Sequence, residues 1–176
     1  FTVSNAAGAL ADMQGYVRTR YVVAQKGQEA NWNTTYPAFY NAVNFGEAGA
    51  TAKYKAPVNT SGWFLPSGGQ FVQIYNNLNG DGTDLTSSNI ANRNALTSIV
   101  EAINGKFTLV GGTELVGTNS VIYWTSVEKS ATHAYLFDIS INQSAEKEYD
   151  AKFKIDAPNG VKKSSNTRAI RPILAF

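Results

Sequence analysis

Apolar side chains recur at helical spacing in three segments before residue 105. Within each segment the apolar positions lie three, four or seven residues apart, which places them on one face of a helix. The three sets are Phe39, Tyr40 and Val43; Phe71, Ile74, Tyr75 and Leu78; and Ile90, Leu96, Ile99, Val100 and Ile103. Start signals are Asn33-Thr34-Thr35 with Pro37, then Ser67, then Ser88 or Asn89, and the stop signals are Gly46, Gly80 and Asn104-Gly105. We therefore predict three helices.

Short apolar runs predict strands elsewhere in the chain. Residues 16–23 alternate between apolar and polar before they become apolar, which predicts a strand near the N-terminus. Three more strands are predicted over 121–124, 134–139 and 169–174, whereas residues 47–60 are irregular. Because helices lie mostly in the first part and strands dominate the second, we expect an α+β fold rather than an alternating α/β fold.

The composition indicates one domain spanning residues 1–176. Hydrophobic residues make up 43% of the chain and charged residues 16%, which is enough to bury a core. The net charge of +2 is too small for a phosphate-binding surface, so we expect no nucleic-acid partner. The chain has no stretch suited to membrane insertion, and the absence of Cys excludes disulfides and thiol chemistry. Because the chain starts at Phe1 rather than Met, we interpret it as a processed or trimmed part of a longer protein.

Three motifs resemble those of a family of bacterial surface domains. They are residues 62–67 (GWFLPS), residues 123–128 (YWTSVE) followed by Ala134-Tyr135, and residues 168–176 (RAIRPILAF). In this order they are similar to motifs of domains related to the C-terminal domain of collagen-like bacterial adhesins. The segment from Asp12 to Thr19 also resembles the start of such domains.

The resemblance implies a C-type-lectin-like fold at the C-terminal part of a longer, extracellular surface protein. In this fold two or three helices pack on a small twisted, mostly antiparallel sheet, and long loops build a binding face. The terminal strands are neighbours, which makes residues 173–176 a structural strand. Some members are targets of diversity-generating retroelements, including pilus-tip adhesins and phage receptor-binding proteins. Residues 123–171 are typical of such a variable region, because scaffold-type residues alternate there with chemically miscellaneous ones.

The predicted strand at 134–139 offers a candidate ligand-binding face. If Tyr135 and Phe137 point inward, alternation turns Leu136 and Asp138 outward, where they would suit a recognition patch. Ordinary scatter of apolar surface residues is the alternative. The polar loop over 142–152 resembles a paratope loop, with a solvated hairpin connection as its alternative. The candidate contacts are Thr125, Val127, Lys129, His133, Leu136, Asp138, Ser140 and Tyr149.

Metal and enzyme chemistry receive little support from the sequence. Oxygen-bearing side chains around glycines form a Ca²⁺ candidate that consists of Asn77, Asn79, Asp81 and Asp84. The bidentate acid that such a loop needs falls on Ser88, so a helix-terminating turn is the favoured interpretation and we predict no cofactor. The calcium-dependent sugar site of vertebrate lectins has no counterpart, because Ala157-Pro158-Asn159 lacks the acid. His133 is the only histidine and no nucleophile-elbow pattern accompanies it, so we predict no enzyme.

These observations predict a receptor- or ligand-binding adhesin domain on a bacterial surface or pilus tip. Its partner would be a host, bacterial or phage receptor, either protein or glycan. The first alternative is a structural pilus or fibre subunit whose partners are other subunits. The second alternative is a receptor-binding protein of a phage tail. An enzyme would instead need a deep pocket with a perturbed acid.

Overall fold

The computed structural model of the chain describes residues 2–79, 93–114, 121–143, 149–165 and 168–176. Its elements, in chain order, are α1 (Ala6–Ala11), α2 (Gly15–Lys26), α3 (Trp32–Thr35), α4 (Pro37–Val43), a 3₁₀ helix (Gly49–Tyr54), α5 (Gly68–Asn79), α6 (Arg93–Leu109), β1 (Val121–Glu128), β2 (His133–Gln143) and β3 (Tyr149–Lys162). Helices precede strands, so the α+β class predicted from the sequence is confirmed.

The three strands form one antiparallel sheet in the order β1-β2-β3. Tyr123 pairs with Phe137 across β1 and β2, and Trp124 pairs with Leu136. Because side chains alternate along a strand, these two pairs face opposite sides of the sheet. Helices cover both sides. One core cluster joins Tyr123 and Phe137 to side chains of α1, α5 and α6, and a second joins Trp124 and Leu136 to side chains of α2 and α4.

The outer edge of β1 is closed by three segments that are distant in sequence. The amide of Val3 donates to the carbonyl of Glu128 at 2.8 Å, and the amide of Ser126 donates to the carbonyl of Pro66 at 2.8 Å. At the start of the strand, the amide of Trp124 donates to the carbonyl of Ala169 at 2.9 Å. These bonds satisfy backbone groups that would otherwise be left open at a sheet edge.

Two of the predicted helices appear close to their predicted places. α4 has Pro37 in its first turn, and Gly46 follows its end with a φ of 86°, a conformation that favours glycine. α5 begins after Ser67, as predicted. The Ser67 amide donates to Oε1 of Gln70 at 3.0 Å, which is one half of a capping box.

The structure corrects two local predictions. Residues 16–23, predicted as a strand, lie in α2, where Arg18, Thr19 and Val22 are buried at helical spacing. A short stretch of helix that buries polar side chains can also alternate between apolar and polar residues. This is why a strand was predicted here. α6 does not stop at Gly105 but continues to Leu109, and Phe107 in this last turn packs against the core cluster that contains Phe137.

The terminal segments and the last strand also differ from prediction. Residues 169–174 form no extended strand; they make single bridges, from Ala169 to Tyr123 and from Ile173 to Phe64. Among the described residues, no N-terminal strand pairs with them, but Thr2 bridges to Glu128 on β1, the strand that Ala169 also contacts. β3 was not predicted, although its charged and apolar side chains alternate as in a strand, because residues 142–152 were interpreted as a loop and a Pro-Asn-Gly turn signal follows.

Candidate functional site

The predicted ligand face on β1 and β2 is buried. Thr125, Val127 and Leu136 are fully buried and Asp138 is 6% exposed, so the expectation that Leu136 and Asp138 point outward to solvent is wrong. The reason is that alternation identifies which side chains share a face but not what covers that face. α2 and α4 cover the side that carries Leu136, and the Thr125 hydroxyl donates to the carbonyl of Tyr135 at 2.8 Å.

Lys129 and His133 lie at the turn between β1 and β2, where both are half-buried. The Lys129 ammonium donates to the carbonyl of Ser4 at 2.7 Å and lies 5.5 Å from the centre of the Tyr135 ring. The His133 Nδ1 atom lies 2.8 Å from the hydroxyl of Thr132. These two side chains are therefore engaged within the domain, although part of each still faces solvent.

Ser140 and Tyr149 lie in strands rather than in a loop. Ser140 pairs with Lys152 and Gln143 pairs with Tyr149 in the β2–β3 ladder. Within the predicted loop over 142–152, residues 142–143 and 149–152 are paired strand, and residues 144–148 lie outside the described residues. The backbone thus favours the hairpin interpretation over a long paratope loop.

The structure describes only half of the Ca²⁺ candidate. Asn77 and Asn79 belong to α5, whereas Asp81 and Asp84 lie outside the described residues. Within the described ranges, three or more His, Cys, Asp or Glu side chains nowhere come together as a metal site would require.

The outward side of α2 presents an exposed apolar surface instead. It consists of Met13, Tyr16, Val17, Arg20 and Tyr21, which we call the α2 surface. The four uncharged side chains are between 42% and 51% exposed. Tyr16, Val17 and Tyr21 lie on one side of the helix, because they are spaced as i, i+1 and i+5, and Met13 lies just before its first residue.

The inward side of α2 carries two polar residues, Arg18 and Thr19, beside Gly15 and Val22. Arg18 is 5% exposed and its Nη2 atom lies 2.6 Å from Oδ2 of Asp12, which is also buried in this pair. The Thr19 hydroxyl accepts from the amide of Leu65 at 3.2 Å. An ordinary surface helix turns its apolar stripe towards the core and its polar stripe towards water. α2 instead bonds Arg18 and Thr19 inside the domain and leaves Tyr16, Val17 and Tyr21 exposed.

Arg20 is held in place within the α2 surface. Its guanidinium lies 5.3 Å from the centre of the Tyr16 ring, and its Nη2 atom donates to the carbonyl of Ser61. The Tyr16 ring in turn packs edge-to-face on Phe64, with centroids 5.5 Å apart. Arg20 is the only charged member of the surface, and the sequence from Met13 to Gln28 contains no acid. The surface is therefore apolar, aromatic and cationic.

The C-terminal residues reach Ser61, the residue whose carbonyl Arg20 contacts. The Ser61 amide donates to the carbonyl of Ala175 at 2.9 Å, and the Ala175 amide donates to the Ser61 hydroxyl at 2.8 Å. Phe176, which follows Ala175, is 99% exposed.

The sequence contains the helical spacing that indicates the α2 surface, but a strand was predicted in this segment. Met13, Tyr16, Val17, Arg20 and Tyr21 have helical spacing, but the strand interpretation of residues 16–23 hid it.

Among the described residues, no helix is both long and apolar enough to span a membrane. No known family model matches the sequence, and no curated protein matches it. The structure is similar to the crystal structure of a fimbrial protein from Bacteroides ovatus, with 16% sequence identity and a TM-score of 0.45. The similarity covers 94% of this chain and 25% of that protein, so the chain spans about a quarter of its length. At this identity and TM-score the similarity assigns neither a fold family nor a function.

Proposed function

We propose that the chain is an extracellular, non-enzymatic binding domain of a bacterial surface assembly and that it contacts a protein partner through the α2 surface. The proposal rests on the arrangement of side chains on α2, which buries Arg18 and exposes Val17 and Tyr21. Exposing apolar side chains costs free energy in water unless another molecule covers them. Contiguous exposed apolar patches mark interaction sites for that reason.

The composition of the α2 surface supports a protein partner. Tyr, Met and Arg are enriched at protein interfaces, and Tyr and Arg are over-represented among the residues that dominate binding energy. Arg20 is already fixed against Tyr16 and Ser61, so binding would cost little additional side-chain entropy at this position.

We propose that the domain has the C-type-lectin-like fold of the family that its motifs resemble. The support is that the three motif segments contact one another. Pro66 accepts from Ser126, and Phe64 and Ile173 exchange two backbone hydrogen bonds, of 2.9 Å and 3.0 Å. The residues that carry the resemblance therefore hold the edge of the sheet together, which is the role expected of a family's constant scaffold. The extracellular, bacterial location rests on this resemblance.

Of the three roles that the sequence leaves open, we favour a fibre subunit over a receptor-binding adhesin. The α2 surface lies outside residues 123–171, where diversified ligand contacts were expected, and Leu136 and Asp138 in that region are buried. The adhesin role is the second candidate. It is favoured by the β1–β2 turn, where Lys129 and His133 remain partly exposed.

Site-specific photo-crosslinking in the producing bacterium tests the proposal. The full-length protein would carry a photoreactive phenylalanine analogue in place of Val17, and irradiation of intact cells would precede analysis of adducts. We expect protein adducts at position 17. The matched control places the same analogue at Asn33, an exposed position on α3, where we expect none.

Two outcomes would contradict the proposal: equal adduct yields at positions 17 and 33, or no adduct at position 17. A third variant carrying Tyr21→Lys as well as the analogue at position 17 should lose the adduct while keeping the wild-type melting temperature. Tyr21 is half exposed, so its replacement removes little internal packing.

A further inference from the structure

We propose that Lys129, His133 and Lys162 form a binding site for an acidic polysaccharide, on the side of the sheet opposite to the α2 surface. We call these three residues the basic patch. The proposal goes beyond the protein contact assigned to the α2 surface and rests on different residues. The two can therefore succeed or fail independently.

The fold brings the three residues of the basic patch together. His133 and Lys162 are partners in the β2–β3 ladder, so their side chains share one face of the sheet. Gly160, whose φ is 73°, adjoins the other two: a Cβ at this position would lie 3.0 Å from the Cβ of His133 and 3.1 Å from the Cβ of Lys129. The basic patch therefore forms at the end of the sheet where β1 turns into β2.

The basic patch lies on the face of the sheet that carries Tyr135. His133 and Tyr135 are two residues apart on β2, so both side chains point to the same face. The Lys129 ammonium lies 5.5 Å from the centre of the Tyr135 ring. Tyr135 belongs to the core cluster that contains Phe137, whereas α2 buries Val22 in the cluster on the other face. The sheet thus separates the basic patch from the α2 surface.

Each member of the basic patch keeps hydrogen-bonding capacity for a ligand. The Lys129 ammonium donates to the carbonyl of Ser4 at 2.7 Å, which holds it in place and leaves further ammonium protons to donate. The Thr132 hydroxyl occupies Nδ1 of His133, so Nε2 is the ring nitrogen that faces a ligand. Lys162 is exposed and has no ion-pair partner within the described part of the chain.

The segments that build the basic patch contain no acid. Residues 1–11, 129–137 and 157–176 have neither Asp nor Glu. Glu128, which precedes Lys129, pairs with Ala134 on the other face of the sheet and bonds the buried Lys163 ammonium. The domain thus neutralises Lys163 internally, whereas Lys129 and Lys162 have no acidic partner among the described residues. An anionic ligand would supply the missing complementary charge.

The surroundings of the basic patch favour a polysaccharide over other anions. Among the described residues of 2–5, 129–135 and 160–165, no large apolar side chain is exposed. A membrane surface or a protein partner would be expected to bury such side chains. A nucleic acid needs a broader array of cations than a net charge of +2 provides. A carboxylated or sulfated polysaccharide instead presents separate anionic groups along a hydrated chain, which the compact charge of a lysine ammonium suits.

Binding of defined oligosaccharides to the whole chain tests the proposal. Fluorescence anisotropy would use a labelled heparin octasaccharide as the sulfated probe, a labelled hyaluronan octasaccharide as the non-sulfated acidic probe, and labelled maltooctaose as the neutral control. We expect at least one acidic probe to bind and maltooctaose not to bind. Added NaCl should weaken binding, because salt screens exposed charges. Failure of both acidic probes to bind at low ionic strength overturns the proposal.

Substitutions in the basic patch provide a second readout. Lys162→Gln should weaken binding about twofold to fivefold, as expected for one exposed ion pair, and should keep the melting temperature of the wild type. Lys162→Arg keeps the charge and should bind as the wild type does. Adding Lys129→Gln to Lys162→Gln should weaken binding further. Lys55→Gln removes an exposed lysine elsewhere and is the matched control, for which we expect unchanged binding.

Two further outcomes would overturn the proposal. Equal losses in Lys162→Gln and Lys55→Gln would mean that overall charge, rather than the basic patch, attracts the probe. Equally effective competition by a DNA duplex or by phosphatidylglycerol vesicles would mean that the basic patch does not select a polysaccharide. Neither result alters the adducts expected at position 17, so the proposed function is tested separately.

Discussion

Arg18 and Asp12 form a buried ion pair that joins the start of α2 to the segment before it. The Nη2–Oδ2 distance is 2.6 Å, the Nε–Oδ1 distance is 3.4 Å, and both side chains are less than 10% exposed. The carbonyl of Asp12 also accepts from the amide of Gly69 at 2.9 Å, which links the pair to α5. This contact explains how α2 can bury a polar side.

Removal of Arg18 should therefore destabilise the domain strongly. Arg18→Met leaves the Asp12 carboxylate buried without its cation, and we expect a loss of about 3–5 kcal/mol in the free energy of unfolding. Adding Asp12→Leu to Arg18→Met should recover part of that loss. Arg20→Met, an exposed change on the same helix, should cost less than about 1 kcal/mol. Urea denaturation measures all three, and a neutral Arg18→Met variant would contradict the buried pair.

Two glycines in helices should respond to alanine in opposite directions. A Cβ at Gly15 would lie 2.7 Å from the Ser67 amide and 2.9 Å from the Leu65 carbonyl, so Gly15→Ala forces backbone apart and should destabilise the domain. Gly105 has nothing within 4 Å, so Gly105→Ala should stabilise α6 by about 0.5–1 kcal/mol. Thermal denaturation compares the two, and a shift of the same sign in both variants would be inconsistent with this packing.

Leu136→Ala should behave as a core substitution. Leu136 is fully buried beside Trp124, so the cavity left behind should cost about 2–5 kcal/mol. Val58→Ala, at a position that is 89% exposed, should change stability by less than about 0.5 kcal/mol. Chemical denaturation of both variants checks the burial of the β2 face. Equal stability of the two variants would mean that Leu136 faces solvent.

Tyr75 should make the domain sensitive to alkali. Burial raises the pKa of its phenol, and the neighbouring Tyr123 raises that pKa further. A raised pKa in the folded state favours the protonated form there. Above the ordinary tyrosine pKa of about 10, the unfolded chain therefore loses a proton that the folded chain keeps, and stability falls as pH rises.

Tyr75→Phe should remove this contribution, so that its melting temperature falls less between neutral pH and pH about 11 than that of the wild type. Tyr21→Phe removes one hydroxyl at an exposed position and should follow the wild type. The expectation fails if all three proteins lose stability in parallel.

The sequence by itself determined the class of the fold and several elements. α4 and α5 follow from apolar spacing together with local start and stop signals, and the Ser67 amide contacts Gln70 only three residues away. β1 and β2 follow from short apolar runs. These features could be predicted because the interactions that define them lie within a few residues along the chain.

Tertiary structure decided which surfaces are buried. Whether residues 16–23 form a helix or a strand depended on Arg18 meeting Asp12 and on Thr19 meeting Leu65, a residue 46 positions away. Leu136 became core because α2 and α4 cover its face of the sheet, which periodicity on β2 cannot reveal. The same contacts determine the α2 surface. Because Arg18 and Thr19 are bonded inside the domain, the apolar side chains on the opposite side of α2 face solvent.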